Sequence, residues 1–360
     1  MVARETGQSI KPPALYWQFY RPSIVFPPCE QRHSFYIMPF NFKIFLLLLF
    51  LLPALKAHAQ TKRAGLLSAA AVERLHASED TLALLAYAVV NDSVEQVRVG
   101  ACRSLIQGLV RALKTENSFS YHFDRLKSIS ILAPPDSSFR IFTWQLFVND
   151  STYRYYGAIQ MNRSNLVLHA LRDRSLEAGP GIAFEQLTPE NWYGALYYNL
   201  RPFKTKEGTQ YLLMGFNGMA FFEKRKVVDV LRFDSDGKPI FGSPVFAREE
   251  PLPAGPEQRL IFEYSAEATV RVNWDEQYEM VLFDHLIQMP SPFGRGITAV
   301  PDGSYDGLKW EKGKWTFVNK VFNDVMAEPP RPEPVLDRKQ ESGRDVNGNQ
   351  VRKKKGRERP

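Results

Sequence analysis

The residues of this chain best suited to acid–base chemistry are polar side chains embedded in apolar runs. Asp229 lies within Val-Val-Asp-Val-Leu, and Asp284 and His285 lie within Val-Leu-Phe-Asp-His-Leu-Ile. Burial shifts the pKa of such groups and can prepare one as a general acid and another as a general base. With Glu263 and Glu267 from an alternating run, they form a candidate catalytic group for hydrolysis. The alternative is that they form buried Asp–Arg or His–backbone pairs, which fix strand register.

The sequence also predicts the directions of Asp284 and His285. A two-residue turn at Glu276-Gln277 would pair position 284 with Thr269 and position 285 with Ala268. Asp284 would then face the polar side of the hairpin, and His285 would face the core. A slip of one residue would exchange the two faces.

Aromatic residues offer a second kind of site. Trp192 and Leu196 alternate with Tyr193 and Tyr197, so aromatic side chains are predicted on both faces of one strand. Such a strand is either covered on both faces or presents an aromatic surface. Tyr193 and Tyr197 are therefore the candidate ligand-binding residues.

Signals for a metal or an organic cofactor are weak in this sequence. The histidines after residue 60 are far apart and Cys102 is the one cysteine there, so we expect neither a zinc site nor an internal disulfide. The sequence contains no phosphate-binding loop, nucleophile elbow or dinucleotide fingerprint. Residues 234–237 and 301–307 faintly resemble calcium loops, but Asp and Gly there are typical of turns. We expect no cofactor and no bound metal.

Apolar periodicity predicts the elements that would position these residues. Spacings of three and four along 64–117 predict three helices, the first ending near Ser78 and the second beginning there. After Pro134-Pro135 the period changes to two, and strands follow one another in hairpins. The predicted strands cover 139–148, 153–161, 192–200, 211–216, 227–233, 239–246, 260–274, 278–287, 307–310 and 315–318. The predicted fold class is α+β, a small N-terminal helical segment followed by a large antiparallel β-meander that is sandwich- or barrel-like.

Residues 38–59 have the organisation of a secretory signal peptide. Lys43 provides a basic start, 44–52 is an unbroken apolar run, and Ala57-His58-Ala59 is a small-x-small cleavage site. The run is too short for a permanent helix across a hydrocarbon layer of about 30 Å. Cleavage is therefore predicted between Ala59 and Gln60. We interpret 1–37 as a non-native extension from a misassigned start, and the alternative is a genuine extension on a signal anchor.

The positive charge of the chain lies at its ends. The formal net charge is +7, but residues 329–360 carry ten Lys or Arg and five Asp or Glu, a net +5, whereas 60–328 carry −2. The tail has few apolar residues and is predicted to be disordered, with a tether to anionic glycan or lipid as an alternative role. Because export separates the chain from nucleic acid, we expect no nucleic-acid partner. We also expect no permanent membrane span after signal removal.

Several phrases of the sequence together resemble one group of proteins. They are residues 215–218, 226–231, 237–242, 263–268, 283–286 and 301–307. With a signal ending in Ala-Gln, the chain resembles an uncharacterised family of exported proteins from Bacteroidetes-type bacteria over roughly 135–330. The resemblance implies a Gram-negative envelope location and no activity, so no catalytic residue is carried over.

The sequence therefore predicts five segments: an extension at 1–37, a signal peptide at 38–59, a helical segment at 60–128, an antiparallel β domain at 129–328 and a basic disordered tail at 329–360. The expected function is a non-enzymatic binding or scaffolding module of the cell envelope. It would reside in the periplasm, or outside the cell, and contact envelope glycan or another envelope protein. The alternative is an envelope hydrolase that acts on glycan or peptide through the Asp/Glu/His group. The sequence predicts no oligomeric state.

Overall fold

The computed structural model describes residues 62–149, 152–219, 221–248, 252–291, 294 and 296–322. The predicted extension, signal peptide and basic tail lie outside these residues. The described part contains two helices and three β-sheets, in which every strand pair but one is antiparallel. The prediction of a mainly antiparallel β protein is confirmed.

The helices form a hairpin at the start of the described chain. They are α1, Ala69–Asn91, and α2, Glu95–Leu113. The predicted break at Ser78 is wrong, because Ser78 Oγ donates a hydrogen bond to the Arg74 carbonyl within a continuous α1. Neither helix combines the length and the apolar character that a membrane span requires, among the residues described.

The strands follow one another in hairpins within each sheet. Sheet I has the order β1-β2-β3-β4, with β1 Ser130–Leu132, β2 Phe139–Asn149, β3 Thr152–Met161 and β4 Leu168–Arg172. Sheet II has the order β10-β7-β6-β5, with β8 also pairing β7; its strands are β5 Leu196–Thr205, β6 Gly208–Asn217, β7 Glu223–Phe233, β8 Pro239–Phe241 and β10 Leu260–Ser265. Sheet III has the order β11-β12-β13-β14-β9, with β9 Phe246–Ala247, β11 Val272–Asp275, β12 Met280–Pro290, β13 Ile297–Glu311 and β14 Lys314–Val318.

Three apolar cores stack these elements into four layers. Phe142 and Trp144 of sheet I pack against the helices, whereas Ile141 on its other face packs against sheet II. Within sheet II, Leu213 faces sheet I and Leu212 faces sheet III. The order is therefore helices, sheet I, sheet II and sheet III, and each central sheet is apolar on both faces.

Two predicted strands are each divided in the structure. The run 260–274 forms β10 and β11, which belong to different sheets, because a turn begins after Ser265 and the Ala268 N–H donates to the Ser265 carbonyl. Ala-Glu-Ala has low strand propensity at that point. The run 239–246 is divided at Gly242, whose φ of 101° is incompatible with a regular strand. The chain thus crosses from sheet II to sheet III at both places.

Candidate functional site

Asp229 lies in a sealed polar network between sheets I and II. Its Oδ1 accepts a hydrogen bond from Arg259 Nε at 3.2 Å, and its Oδ2 accepts one from the Tyr197 hydroxyl at 3.2 Å. Trp192 Nε1 donates to the same hydroxyl at 3.0 Å. All four side chains are fully buried. Burial, together with the Asp229 carboxylate, raises the pKa of Tyr197, which keeps this phenol a proton donor.

Arg259 connects this network to the chain around it. Its guanidinium donates to the carbonyls of Ile182, Glu185 and Phe241, in addition to Asp229. The pair therefore holds the 3₁₀ segment Pro180–Phe184 against sheet II. Because every member is dry and hydrogen-bonded, the network supports the fold and offers no face to a substrate.

Asp284 belongs to sheet III and contacts a different set of groups. The predicted two-residue turn is wrong, because Asp275 Oδ1 accepts the N–H groups of Gln277 and Tyr278 and Asp275 pairs with Met280. This four-residue loop places Asp284 beside Arg271, whose backbone N–H donates to Asp284 Oδ2. The predicted pairing of 284 and 285 with Thr269 and Ala268 does not form.

A β-bulge between Asp284 and Leu286 reverses the predicted faces. Asp284 is buried, with 7% of its surface exposed, whereas the side chain of His285 points outward and is 35% exposed. The prediction of an outward Asp284 and a core-facing His285 is wrong, because the regular pairing of β12 with β13 is interrupted here: His285 alone lies opposite three residues of β13, 302–304. The Asp284 carboxylate also interacts electrostatically with Lys226 of β7. Burial lowers the pKa of the Lys226 amine, and the negative charge of Asp284 opposes that shift.

His285 pairs with Asp306 on the outer side of sheet III. The His285 Nδ1–Asp306 Oδ2 distance is 2.7 Å, and Asp306 Oδ1 accepts the Lys320 N–H. Asp302 accepts hydrogen bonds from the hydroxyl and the N–H of Ser304, and these bonds lower the Asp302 pKa. The segment 301–307 is therefore an irregularity in β13 that its own side chains stabilise. Among the described residues, no three His, Cys, Asp or Glu side chains are placed to hold a metal.

Arg225 joins two of the remaining predicted residues, Glu263 and Tyr193. Glu263 pairs with Arg225, Nε to Oε2 at 2.7 Å, and Arg225 also donates to the Tyr193 hydroxyl at 3.2 Å. Glu267 is exposed in the turn after β10. Tyr193 and Tyr197 are buried, so neither presents a ring to a ligand. The predicted strand at 192–200 begins only at Leu196, after a Gly194 with φ 79°.

The structure thus does not gather the predicted acid–base group. Asp229 faces sheet I from β7, whereas Asp284 lies on β12 of sheet III, with the backbone of sheet II between them. His285 points away from both, toward Asp306. These residues serve three separate structural contacts.

A concave polar surface occurs elsewhere, around residues 118–127. This segment joins α2 to sheet I through left-handed conformations at Asn117 and Phe123, with φ of 58° and 55°. Glu79 of α1 anchors one side, accepting hydrogen bonds from the Tyr121 hydroxyl and the Arg125 N–H, both at 2.6 Å. Burial and the Glu79 carboxylate raise the pKa of Tyr121. Arg140 anchors the other side.

Two clefts flank this segment and share His122, Phe123 and Asp124. The first, which we name the Arg140 cleft, has a volume of about 400 Å³ and is lined by Phe119, Lys127, Ile129, Ile131, Ser137 and Arg140, among others. The second, the His76 cleft, has about 350 Å³ and is lined by Leu67, Val72, His76, Glu79 and Tyr121, among others. Volumes of this order suit small ligands. A third cleft, of about 260 Å³ beside β9, contains an ion pair between Arg248 and Glu257 that satisfies its own charges.

The sequence does not predict this surface, because the pattern of residues 60–128 indicates only helix packing. One signal was present, since Arg140 interrupts the apolar run Phe-Arg-Ile-Phe in the same way that Asp229 interrupts its own run. A charged residue on the inner face of a strand must find partners. The aromatic residues at 119 and 123 lie in a segment with no clear period, so their position beside Arg140 could not be predicted.

Comparisons of the chain with models of known families, with curated proteins and with solved structures give no match. The clefts are therefore interpreted from their own geometry and chemistry.

Proposed function

We propose that this protein is an exported cell-envelope binding or scaffolding module without catalysis, and that its ligand occupies the clefts around 118–127. The observation that carries the proposal is the pair of clefts, which combine apolar walls with His122, Asp124, Lys127 and Arg140. Concave surfaces that combine apolar walls with a few polar groups are the usual form of a ligand site. Asp229, Asp284 and His285 lie apart from one another, which supports a function without catalysis.

A ligand panel tests this function. The full chain is unfolded thermally with peptidoglycan fragments, sugars, short peptides or Ca²⁺, and we expect one class to stabilise it. A ligand present at a hundred times its Kd stabilises the folded protein against unfolding by about 2.7 kcal/mol. Ala133→Trp, which fills the Arg140 cleft from an exposed position, should remove the shift. Ala170→Trp on β4, also exposed and outside both clefts, is the matched control. A shift that both variants retain would contradict the proposed site.

Export is the second part of the proposal, and the signal at 38–59 supports it. We expect the protein recovered from the periplasm of a Gram-negative host to begin at Gln60. Ala59→Tyr should accumulate the uncleaved precursor, because the cleavage site accepts only small side chains. His58→Tyr, at the tolerant middle position, should be processed normally. Mass spectrometry of the recovered chain checks both variants, and normal processing of Ala59→Tyr would contradict the assignment.

The alternative, an envelope hydrolase acting on glycan or peptide, has one observation in its favour. His285 is half-exposed and is oriented by Asp306 at 2.7 Å, as a general base requires. The neighbouring Ser304 hydroxyl is instead bonded to Asp302. Chromatography of peptidoglycan fragments after incubation should show no turnover. The hydrolase would be favoured if turnover occurred, was lost in the His285→Gln variant and was kept in the control variant His169→Gln.

A further inference from the structure

Arg140 differs from the other buried arginines in what its guanidinium contacts. Arg259 makes four hydrogen bonds and has Asp229 as its counter-ion. Arg98 makes four hydrogen bonds to backbone carbonyls. Arg140 makes three, to the Gln160 side chain and the carbonyls of Tyr121 and Ser118. Since a guanidinium has five N–H donors, Nη1 and Nη2 of Arg140 each keep one N–H without a partner among the described residues.

Like Arg98, Arg140 has no counter-ion among the described residues, although only 4% of its surface is exposed. No carboxylate of the described residues lies within ion-pair distance of it, whereas Arg259 has one. Burial lowers the pKa of Arg140 to about 9, which still leaves it charged at neutral pH. A buried charge without a partner of opposite sign is costly, and such a group attracts an anion when one can reach it.

Aromatic rings surround the guanidinium without neutralising it. Its carbon lies 5.3 Å from the Phe119 ring centre, 5.1 Å from that of Phe123 and 5.0 Å from that of Phe142. Cation–π contacts stabilise the ion, but they contribute no negative charge. Phe119 and Phe123 line the Arg140 cleft as well, so a ligand that reaches the guanidinium passes between apolar walls.

The cleft has the remaining features of a site for an amphipathic anion. Lys127 adds a second positive charge, Asp124 adds one negative charge, and Ser137 adds a hydroxyl. Leu126, Ile129 and Ile131 extend the apolar wall. A strongly hydrated dianion would find few donors here, whereas a single carboxylate could take the free N–H groups while an apolar body covers the wall.

We propose that the Arg140 cleft binds a small organic anion that has one carboxylate and an apolar body. This inference rests on the proposed binding function and names its ligand class. The carboxylate lies against Arg140, and the apolar body lies between Phe119, Phe123 and Ile131.

The test uses 3-phenylpropionate, its neutral amide 3-phenylpropanamide and inorganic phosphate as probes of the full chain. Calorimetric titration should give a dissociation constant in the millimolar range for the acid, as expected for so small a ligand. The amide should bind at least about tenfold more weakly, because hydrogen bonds to a charged acceptor are the stronger ones. The Arg140 Nε–H resonance should shift with the acid. Equal binding of acid and amide, or equal binding of phosphate, would overturn the proposal.

Variants that leave Arg140 in place keep the test clear of folding effects, since Arg140 also holds the 118–127 segment. Ala133→Trp should abolish binding of the acid, and Ala170→Trp should retain it. Lys127→Ala should weaken binding about threefold, as expected for an exposed charge, whereas Lys204→Ala on β5 should not change it. Binding that Ala133→Trp leaves unchanged would overturn the assignment to this cleft.

The outcomes also separate this inference from the proposed function. If 3-phenylpropionate fails to bind but the ligand panel gives a shift that Ala133→Trp removes, the carboxylate inference is overturned and the binding function stands. If neither the acid nor the panel gives a response, both are overturned.

Discussion

Replacing Asp229 with alanine should destabilise the protein by about 3–5 kcal/mol, because the change leaves the Arg259 charge buried without its counter-ion. Both side chains are fully buried and lie 3.2 Å apart. The Tyr197 hydroxyl and the Val230 N–H lose their acceptor in the same variant. Urea unfolding followed by tryptophan fluorescence measures the loss.

Two controls define the cause of this loss. Glu263→Ala breaks the Arg225–Glu263 pair, in which the glutamate is 45% exposed, and should cost at most about 1 kcal/mol. The double variant Asp229→Leu/Arg259→Met should be less destabilised than the two single variants added together, by about 2 kcal/mol or more. A cost for Asp229→Ala no greater than for Glu263→Ala would contradict the structural role of the network.

Much of the fold follows from alternation and turn chemistry. The turn at 234–237 joins β7 and β8, since Asp234 Oδ1 accepts the N–H groups of Asp236 and Lys238 and Gly237 takes a φ of 76°. The turn after β13 has Lys312 and Gly313 with positive φ, which matches the twist of a tight hairpin. Such features are local, so the sequence predicts them.

The errors arise where alternation continues but the chain changes sheet. Residues 260–274 alternate without interruption, yet the turn after Ser265 sends β10 to sheet II and β11 to sheet III. Both β10 and β11 bury their apolar face in the core between sheets II and III. The alternation is therefore the same whether these residues form one continuous strand or two. The bulge at Asp284 and Leu286 is hidden for the same reason, because its cause is the partner strand.

The role of a buried charge likewise cannot be predicted from the sequence alone. Sequence identifies a charge within an apolar strand but not whether a counter-ion meets it, and that difference separates Asp229 from Arg140. Asp229 forms an ion pair with Arg259, thirty positions along the chain, and therefore has a structural role. Arg140 contacts only uncharged groups, carbonyls and aromatic rings, so its positive charge is not neutralised by them. The partners are set by tertiary packing, so composition and spacing cannot distinguish the two.

Gly194→Ala should destabilise the protein by about 3–4 kcal/mol, through left-handed strain and overpacking together. Gly194 has φ 79°, and an added Cβ would overlap the Asp173 carboxylate, lying 2.7 Å from its Cγ and closer still to Oδ1. That carboxylate cannot move away freely, because it accepts the N–H groups of Tyr155 and Ser175, both at 2.8 Å. Urea unfolding of the variant measures the combined cost.

Gly237→Ala is the matched control for strain alone. Gly237 has a φ of 76°, nearly that of Gly194, but no atom of the described residues lies within 4 Å of its added Cβ. The control should therefore lose only about 1 kcal/mol. The difference between the two variants isolates the close approach of Gly194 to Asp173, which joins sheet I to the start of β5. Equal losses would mean that Asp173 yields to the methyl group and that this junction is not tightly packed.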